Sequence, residues 1–567
     1  MQTTSGCRWM LGLALAAILI AAVFAWDNRN LVSPDGTSYL DLADAHLGSG
    51  NTPAVSSQWS WLHPVLLALG GWLFRPEPAW EFAVAHLVGW LEFVVMILCF
   101  SLFLRAWMRS ELPETTDQPR LSLAHKTWMV FAYSLAVAAA GSTAIIRHIG
   151  ADLAVAALVY LAAAVVIRVE DSAASMYWWA LLGAVLGLGY MAKSPMFPLS
   201  VALLALLALC ARGHRRRLGG VAVAVACFLA VASPLLIALA KTRGRLTFGD
   251  SWRLNYAWYV NGVTPYAGWT GGPAGAGAPL HAPRVISAEP LVREFTGPVI
   301  ATYPLWYDPA YWHEGLKITF SLRRQIVTLG RSLRTYARML VTDNGLTAGL
   351  IVLLLAGSFR RHLFARMARR PWMVLWPAAA FAMFALVHVE PRYVRPFCVL
   401  FTLAMYGPPL HPGSGRASRV KPLVMAVASV SLILPLAPSF ANALTRAART
   451  VATADYHSGH THLKVAEELG RLGLRRGERI AAVGGGFRAY YARLARARIV
   501  AEIPESDVPS FLRLPPSRQA TIYRKLADLG VKAVVSVGMP AQPGAFQWRA
   551  LADTGYSALL LDSLPED

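Results

Sequence analysis

Charged residues are scarce in this chain of 567 residues: they make up 15% of it, whereas hydrophobic residues make up 56%. An ordinary soluble domain carries about 25% charged residues. The low charge content, together with repeated long apolar runs, therefore excludes a soluble globular protein. It indicates an α-helical protein that crosses a membrane many times.

Cysteine is also rare, and no CxxC pair occurs. All five cysteines lie in or beside apolar runs: Cys7, Cys99, Cys210, Cys227 and Cys398. This pattern supports neither a disulfide framework nor a thiolate metal site.

Acidic residues are outnumbered by basic ones, 32 Asp and Glu against 53 Lys and Arg, which gives a formal net charge of +21. The basic residues form short clusters between apolar runs, as cytoplasmic loops do, and not a continuous basic patch. We therefore expect a lipid bilayer as the partner of this charge and no nucleic acid.

The apolar runs predict about eleven transmembrane helices. Their approximate ranges are 10–26, 80–104, 127–146, 151–167, 176–192, 195–211, 218–240, 345–359, 371–388, 393–410 and 422–440. With the N-terminus in the cytoplasm, the basic clusters fall in alternate loops, as the positive-inside rule requires. An odd number of spans places the C-terminus outside. The first run could also be a cleaved signal peptide, but its length favours a retained span.

Three outer segments follow from this topology within a transmembrane domain 1–440 and a soluble tail. The first, 27–79, holds juxtamembrane helices, and its apolar part from Trp59 to Phe74 is predicted to be an interfacial or re-entrant helix. The long loop 241–344 has an irregular Gly- and Pro-rich middle, many aromatic residues and a basic amphipathic helix near its end. Those aromatics suit either an interfacial belt or a wall for sugar rings. The tail 441–567 alternates helix-like runs, one of them at 546–553, with strand-like runs at 479–483, 499–503, 533–537 and 558–562, which predicts a small α/β domain with a mainly parallel sheet.

A short helix is predicted directly after the first span. Ser33 followed by Pro34 is typical of a helix N-cap and first turn. Asp35 and Tyr39 then share one face of that helix, whereas Asp41 and Asp44 point elsewhere and are expected in solvent. Asp35 either helps to cap the helix or is an acid retained for function beside the membrane.

Several polar residues should meet at the outer membrane face: Asp35, Tyr39, His63, Arg147, His148, Asp152, Lys193, His388, Glu390, Arg392 and Tyr393. One acid among several cations suits a substrate that has a phosphate and a hydroxyl to be deprotonated. Each residue also has a simpler explanation. Lysine and arginine snorkel, Glu390 and Arg392 pair with each other, and His63 before Pro64 caps a helix.

Short motifs in this order resemble the GT-C membrane glycosyltransferases, especially the protein O-mannosyltransferases and the lipid A aminoarabinose transferases. The motifs are Asp35-x-x-x-Tyr39-x-x-x-Ala43, Trp61-Leu62-His63-Pro64, Ala151-Asp152-Leu153, Met191-Ala192-Lys193-Ser194-Pro195 and Glu390-Pro391-Arg392-Tyr393. The resemblance covers roughly residues 8–440.

The resemblance implies a GT-C-like fold in a bacterial inner membrane with the tail in the periplasm. It also implies inverting transfer of a sugar from a polyprenyl-phosphate carrier to a lipid, glycan or protein acceptor. Asp35 would be the catalytic base or a metal-associated acid, and Lys193 and Arg392 would hold the phosphate. Tyr39 and His63 would shape the site; Glu390 and Tyr393 would contact substrate, with Arg147 and Asp152 as secondary candidates.

Two departures from the family pattern leave parts of this picture open. Gly36 stands where the protein mannosyltransferases have a second acid, and His63 stands near the place of a Glu-Lys pair in the aminoarabinose transferases. No cofactor is therefore certain, and use of Mg²⁺ or Mn²⁺ stays open, as does the acceptor. The alternative function is a transporter or flippase of a lipid-linked or amphipathic substrate, which should place its polar residues at mid-bilayer.

Overall fold

The computed structural model describes residues 4–48, 55–111, 122–141, 148–171, 175–211, 214–264, 269–271, 276–297, 301–342, 367–408, 416–538 and 546–563. Across these ranges the chain is mostly helical, with several apolar helices and one small sheet.

Helices dominate the chain as far as Arg243. They are α1 Thr4–Asp27, α2 Pro34–His46, α3 Leu62–Phe74, α4 Pro78–Glu111, α5 Leu123–Gly141, α6 Asp152–Asp171, α7 Met176–Ala192, α8 Met196–Cys210 and α9 Arg215–Arg243. The short helix α2 and the apolar helix α3 stand where the sequence predicts juxtamembrane helices.

The long loop and the last apolar helices come next. Their elements are α10 Ser251–Tyr256, a π-helical turn Ala257–Asn261, β1 Arg284–Ser287, β2 Val292–Glu294, α11 Pro304–Tyr307, α12 Pro309–Trp312, α13 Leu322–Thr342, α14 Trp372–Ala385, α15 Pro391–Tyr406, α16 Arg416–Ile433 and α17 Ala437–Thr453. Helix α13 is the amphipathic basic helix expected near the end of the loop. The described part of the Gly- and Pro-rich middle forms no helix or regular strand.

Five helices in the described ranges are long and apolar enough to cross a membrane: Gly6–Asp27, Pro78–Glu111, Asp152–Glu170, Arg215–Arg243 and Val420–Thr453. Shorter apolar helices accompany them at Leu62–Phe74, Met176–Ala192, Met196–Cys210 and Trp372–Ala385. These helices support a membrane location, whereas the number of eleven spans stays a prediction. The predicted span 345–359 lies outside the described residues, and the last helical stretch continues past the predicted boundary at 440.

Ion pairs at one end of the bundle show how two of its helices run. Arg370 contacts Glu111 at the end of α4 and Glu170 near the end of α6, at 3.4 and 3.2 Å. Helices α4 and α6 therefore run in the same direction. Glu81 and Asp152, near the starts of these two helices, consequently lie at the opposite end of the bundle from Arg370.

The C-terminal segment forms most of the sheet. Its elements are α18 Thr461–Arg471, β3 Arg479–Val483, α19 Tyr490–Leu494, β4 Arg498–Ile503, α20 Val508–Leu512, α21 Pro516–Asp528, β5 Val531–Val537, β6 Arg549–Ala550 and β7 Tyr556–Leu560. The sheet order is β1-β2-β4-β3-β5-β7-β6. The strands around positions 479–483, 499–503, 533–537 and 558–562 therefore appear close to where the sequence predicts them.

Two expectations about this sheet were wrong. Only β3 pairs in parallel, with β4 and β5, while the other pairs are antiparallel, so the sheet is not mainly parallel. The sheet also draws β1 and β2 from the long loop, so it is not built from 441–567 alone. The predicted helix 546–553 is instead a stretch with β6, because Trp548 and Leu551 are buried against the sheet while the two residues between them stay exposed.

One hydrophobic cluster joins this sheet to the juxtamembrane helices. It includes Tyr39 of α2, Phe82 of α4, Trp306 of the long loop and Leu463 and Tyr491 of the C-terminal segment. Helix α2 is thus packed between the apolar helices on one side and the long loop and tail on the other. The loop aromatics Trp258, Trp306, Tyr307 and Trp312 are buried in this core. They therefore form neither an exposed belt nor a free wall.

Candidate functional site

Helix α2 begins as the sequence predicts. Ser33 is its N-cap, and the Ser33 hydroxyl accepts a hydrogen bond from the Gly36 backbone N–H at 3.1 Å, with Pro34 in the first turn. Such a cap satisfies one of the free N–H groups at the helix start. Because Ser33 caps the helix, Asp35 is not needed for that role, and its carboxylate is available for other contacts.

Four charged side chains meet at this point, and we call them the Asp35 cluster: Asp35, Asp152, Lys193 and Arg392. Arg392 donates from Nη2 to Asp35 Oδ2 at 3.2 Å, and its Nη1 lies 3.6 Å from Asp152 Oδ2. Lys193 donates from Nζ to Asp152 Oδ1 at 2.5 Å. The structure therefore brings together four of the residues that the sequence singles out.

Helix ends position these four side chains. Asp152 is the first residue of α6, Lys193 is the C-cap of α7, and Arg392 lies in the first turn of α15. Asp35, Lys193 and Arg392 keep 21 to 23% of their side-chain surface exposed, and Asp152 keeps 8%. The cluster is thus sheltered but reachable from solvent.

The Tyr393 ring packs against the two cations of the cluster, Lys193 and Arg392. The Lys193 ammonium lies 3.8 Å from the Tyr393 ring centroid, and the Arg392 guanidinium carbon lies 5.2 Å from it. Cation–π contacts of this kind hold a positive group in place without using its hydrogen-bond donors. Burial lowers the pKa of Lys193, and Asp152 opposes that shift.

Tyr39 and His63 lie beneath the cluster and are buried, with 4% and 0% of their surface exposed. Their rings meet edge to face at 4.9 Å. His63 Nδ1 is 2.7 Å from Glu92 Oε1 of α4, and the N-cap of α3 is Trp61. His63 therefore supports α2 from below, and it does not cap α3. Burial, followed by Asp35 and Asp152, raises the pKa of Tyr39 well above its ordinary value, so its hydroxyl stays protonated.

Glu390 and His388 lie near the Asp35 cluster and contact each other. His388 Nε2 lies 3.6 Å from Glu390 Oε2, and the His388 ring stacks on Tyr259 at 3.9 Å. The hydrogen bond with His388, together with the charge of Arg392, lowers the pKa of Glu390 against the effect of burial. Glu390 thus has His388 as its near partner, while Arg392 contacts the two aspartates. Arg147 lies outside the described residues. Burial, then the charge of Arg392, lowers the pKa of the neighbouring His148.

Gly36 explains one departure from the family pattern. A Cβ atom at Gly36 would lie 3.1 Å from Ile149 Cβ and 3.1 Å from Val32 Cγ2. Real Cβ contacts are rarely that close, so α2 approaches the segment before α6 at a point where a larger residue would force a shift. A second acid next to Asp35 does not fit this packing.

The expectation that Asp41 faces solvent was wrong, whereas the Asp44 side chain keeps 39% of its surface exposed. Asp41 is 8% exposed and accepts hydrogen bonds from the Thr302 N–H and hydroxyl at 3.0 and 2.8 Å. Both aspartates also contact Arg493 of the tail. Nothing local in the sequence signals this contact, because Asp41 and Arg493 are separated by 452 positions.

The described residues do not decide whether the site uses a metal ion. Within the described ranges, no group of three or more His, Cys, Asp and Glu side chains is placed to hold a metal ion. Asp35 and Asp152 both contact Arg392. Use of Mg²⁺ or Mn²⁺ stays a prediction.

No family model and no curated protein matches the chain. Solved structures of ArnT are its structural neighbours. The crystal structure of ArnT from Cupriavidus metallidurans bound to undecaprenyl phosphate has a TM-score of 0.46 and 15% identity, covering 98% of this chain and 99% of that one. The apo structure has a TM-score of 0.44 and 14% identity, covering 99% of this chain and 100% of that one. Similarity at this level does not transfer a ligand or a residue's role.

Proposed function

We propose that the protein is an integral-membrane, inverting glycosyltransferase that moves a sugar from a polyprenyl-phosphate carrier to an acceptor. The observation that carries this proposal is the Asp35 cluster: a reachable carboxylate joined through Arg392 to a second carboxylate and a lysine, at the ends of apolar helices. Charged groups at that position suit a substrate whose headgroup stays in water while its lipid chain lies between the helices.

In the proposed reaction Asp35 acts as the base. The acceptor hydroxyl attacks the anomeric carbon of the sugar, and its proton passes to the Asp35 carboxylate. The bond between the anomeric carbon and the phosphate oxygen breaks, and the electron pair leaves on the phosphate. The products are the glycosylated acceptor and the polyprenyl phosphate. A positioned general base of this kind contributes roughly 100- to 10,000-fold in rate.

Arg392 and Lys193 would hold the phosphate. A guanidinium offers several donors in a planar fork that matches a phosphate, and the ammonium of lysine adds a compact positive charge. The four charges of the cluster sum to zero before the substrate binds. When the donor phosphate takes over Arg392 donors, Asp35 is released from its ion pair and can accept the proton of the attacking hydroxyl.

The position of the tail supports placing this chemistry on the outer membrane face. The tail contacts Glu81 near the start of α4, and Asp152 begins α6, so both lie at the bundle end opposite to Arg370. A soluble segment and a polar site then share one side of the membrane. On this proposal the C-terminal segment is periplasmic and the N-terminus cytoplasmic. A cysteine introduced at the exposed residue Arg476 should react with a membrane-impermeant reagent from outside.

The decisive experiment uses purified protein in proteoliposomes with a panel of radiolabelled polyprenyl-phosphate sugars and lipid, glycan and peptide acceptors. Release of polyprenyl phosphate and transfer of label are measured for the wild type, Asp35→Asn and the control Asp528→Asn. Asp528 is an exposed carboxylate on α21, so its replacement should change nothing.

We expect Asp35→Asn to lower turnover roughly 1,000-fold while binding of the donor is retained. Unchanged turnover in Asp35→Asn contradicts the assignment of the base. A wild type that moves intact donor across the bilayer and never cleaves it shows the alternative, a flippase.

A further inference from the structure

We propose that Arg493, in the C-terminal segment, is a positioning residue that holds α2 so that Asp35 stands against Arg392. The catalytic consequence rests on the proposed function, whereas the structural consequence does not. The observation behind the proposal is a second group of charges on α2, which we call the Arg493 cluster: Asp41, Asp44, Glu81, Arg493 and Arg496.

Arg493 uses its whole guanidinium group in this cluster. Its Nη1 lies 2.8 Å from Asp41 Oδ1 and 2.6 Å from Asp44 Oδ2, and its Nη2 and Nε donate to the two oxygens of Glu81 at 2.6 and 3.1 Å. A single side chain of α19 thus ties α2 to the start of α4. The fork geometry suits this, because bidentate pairing with a carboxylate fixes orientation as well as distance.

The centre of the cluster is buried, so its charges depend on one another, whereas Asp44 and Arg496 at its edge are 39 and 22% exposed. The side chains of Arg493, Asp41 and Glu81 are 5, 7 and 7% exposed. Burial alone would lower the pKa of Arg493, but Glu81, Asp44 and Asp41 raise it well above its ordinary value. Without Arg493, Arg496 still lies 2.9 Å from Glu81 and 3.7 Å from Asp44, and Thr302 still donates to Asp41, but the cation at the centre of the cluster is lost. Buried carboxylates that lose their partner either take up a proton or move apart.

Helix α2 transmits such a movement to the candidate site. Asp41 lies six residues after Asp35, about 9 Å along the helix axis, within one continuous hydrogen-bonded helix. The same side of α2 is tied down by the Ser38 hydroxyl, which donates to the Trp306 carbonyl at 3.2 Å. At the other end Gly36 packs tightly on Ile149. A shift at Asp41 therefore changes the distance from Asp35 to Arg392.

A second buried ion pair fixes the tail to the long loop, so that the tail can hold α2 in place. Arg293 of β2 donates from Nη2 to Glu502 Oε1 of β4 at 2.5 Å, and Glu502 also accepts from the Tyr303 hydroxyl at 2.9 Å. Glu502 is 1% exposed. The long loop and the tail are thus joined independently of Arg493, so replacing Arg493 should loosen α2 without releasing the tail.

The test compares Arg493→Met, Arg493→Lys and the control Arg476→Met, all as full-length protein in detergent or proteoliposomes. Arg476 is an exposed arginine on the same segment. Hydrogen exchange of peptides covering 34–46 and 498–503 is measured together with kcat and KM for the lipid donor.

We expect Arg493→Met to speed hydrogen exchange in 34–46 but not in 498–503. The same variant should lower kcat about 100-fold while KM stays within about twofold, because small misplacements of a catalytic group are costly. Arg493→Lys keeps the charge but cannot bind three carboxylates at once, so its kcat should fall about tenfold. Arg476→Met should match the wild type in every measurement.

Two results would overturn the proposal. One is unchanged exchange in 34–46, and the other is a kcat loss that merely follows the fraction of unfolded protein and disappears on cooling. If the wild type itself proves to lack transferase activity, the proposed function fails, but the exchange measurement still decides whether Arg493 holds α2.

Discussion

Helix α2 carries two ionic clusters of different character. In the Asp35 cluster, Arg392 stands 3.2 and 3.6 Å from its two aspartates, and three of the four side chains are more than one-fifth exposed. In the Arg493 cluster, the arginine reaches its three carboxylates at 2.6 to 2.8 Å and is 5% exposed. The central arginine is thus partly exposed and has longer contacts in the Asp35 cluster, whereas it is buried and has short contacts in the Arg493 cluster, where Asp44 and Arg496 at the edge are 39 and 22% exposed.

The difference indicates what each cluster can do. A buried and fully paired cluster is costly to disturb and therefore fixes geometry. A partly exposed cluster with longer contacts can exchange a protein partner for a substrate at lower cost, because water and the substrate replace the lost ion pair. On the proposed function, the first cluster takes part in the chemistry, and the second holds α2 in place.

The largest expected effect comes from removing the central cation of the reachable cluster. Arg392→Ala should lower turnover about 100- to 1,000-fold, because a charged donor at the leaving phosphate is lost. Arg392→Lys should recover only part of it, since an ammonium does not reproduce the planar fork between Asp35 and Asp152. The measurement is kcat and donor affinity in proteoliposomes.

Lys193→Gln serves as the companion variant, since it removes the other cation and leaves Arg392 in place. It should weaken binding of the donor, with a smaller loss of turnover than Arg392→Ala. Wild-type turnover in Arg392→Ala would show that the two clusters do not differ as argued.

A second prediction concerns the buried pair beneath α2. His63→Ala leaves Glu92 buried without its partner, and we expect a loss of roughly 3 kcal/mol in stability. The double variant His63→Phe with Glu92→Leu should recover most of that loss, because no buried polar group is then left without its partner. Thermal unfolding in detergent measures both. Equal stability of His63→Ala and the wild type would mean that this pair is not structural.

A third prediction concerns pH at the tail interface. His460 is 3% exposed beside Phe82, and burial lowers its pKa to about 4, helped by His462, His457 and Arg29. In the unfolded chain His460 takes up a proton near its ordinary pKa of 6.5, whereas in the folded chain it stays neutral until the pH approaches 4. Stability contributed by His460 is therefore present above about pH 6.5 and is lost as the pH falls towards 4.

Melting temperatures between pH 7 and pH 5 test this. The melting temperature of the wild type should fall with acidification, and His460→Phe should show a smaller fall. The same slope in both proteins would exclude His460 as a cause.

The smallest effect is expected at an exposed pair on the tail. Lys532 Nζ lies 3.0 Å from Asp562 Oδ2, and the two side chains are 42 and 72% exposed. Lys532→Met should change the free energy of unfolding by less than about 1 kcal/mol and leave turnover unchanged, as exposed ion pairs usually do. Denaturation in detergent and the transfer assay check this, and a larger change would show that exposure alone does not separate the clusters.

Local features were predictable because short stretches of chain encode them. The Ser33 cap and helix α2, the apolar helices and most of the C-terminal strands depend on neighbouring residues and on hydropathy. The pairing of the sheet was not predictable in the same way. Strands β1 and β2 enter it from the long loop, where Arg293 lies 209 positions before its partner Glu502 of β4, and Trp548 and Leu551 are buried against the sheet and do not form a helix.

The residues of the candidate site also differ in how far the sequence could predict them. Residue type and spacing, together with a resemblance, singled out Asp35, Asp152, Lys193 and Arg392, and the tertiary structure brings them into one cluster. Arg493 could not be found that way, because an arginine in a soluble tail looks ordinary until three distant carboxylates meet it.

By itself, the sequence determined where the apolar helices lie, where α2 begins and which face of it carries Asp35, since hydrogen bonds and hydropathy act within a few residues. Only the tertiary structure decided which charges pair and which stay reachable. Burial and ion pairing between segments hundreds of positions apart depend on how the chain packs, and packing is a property of the whole fold.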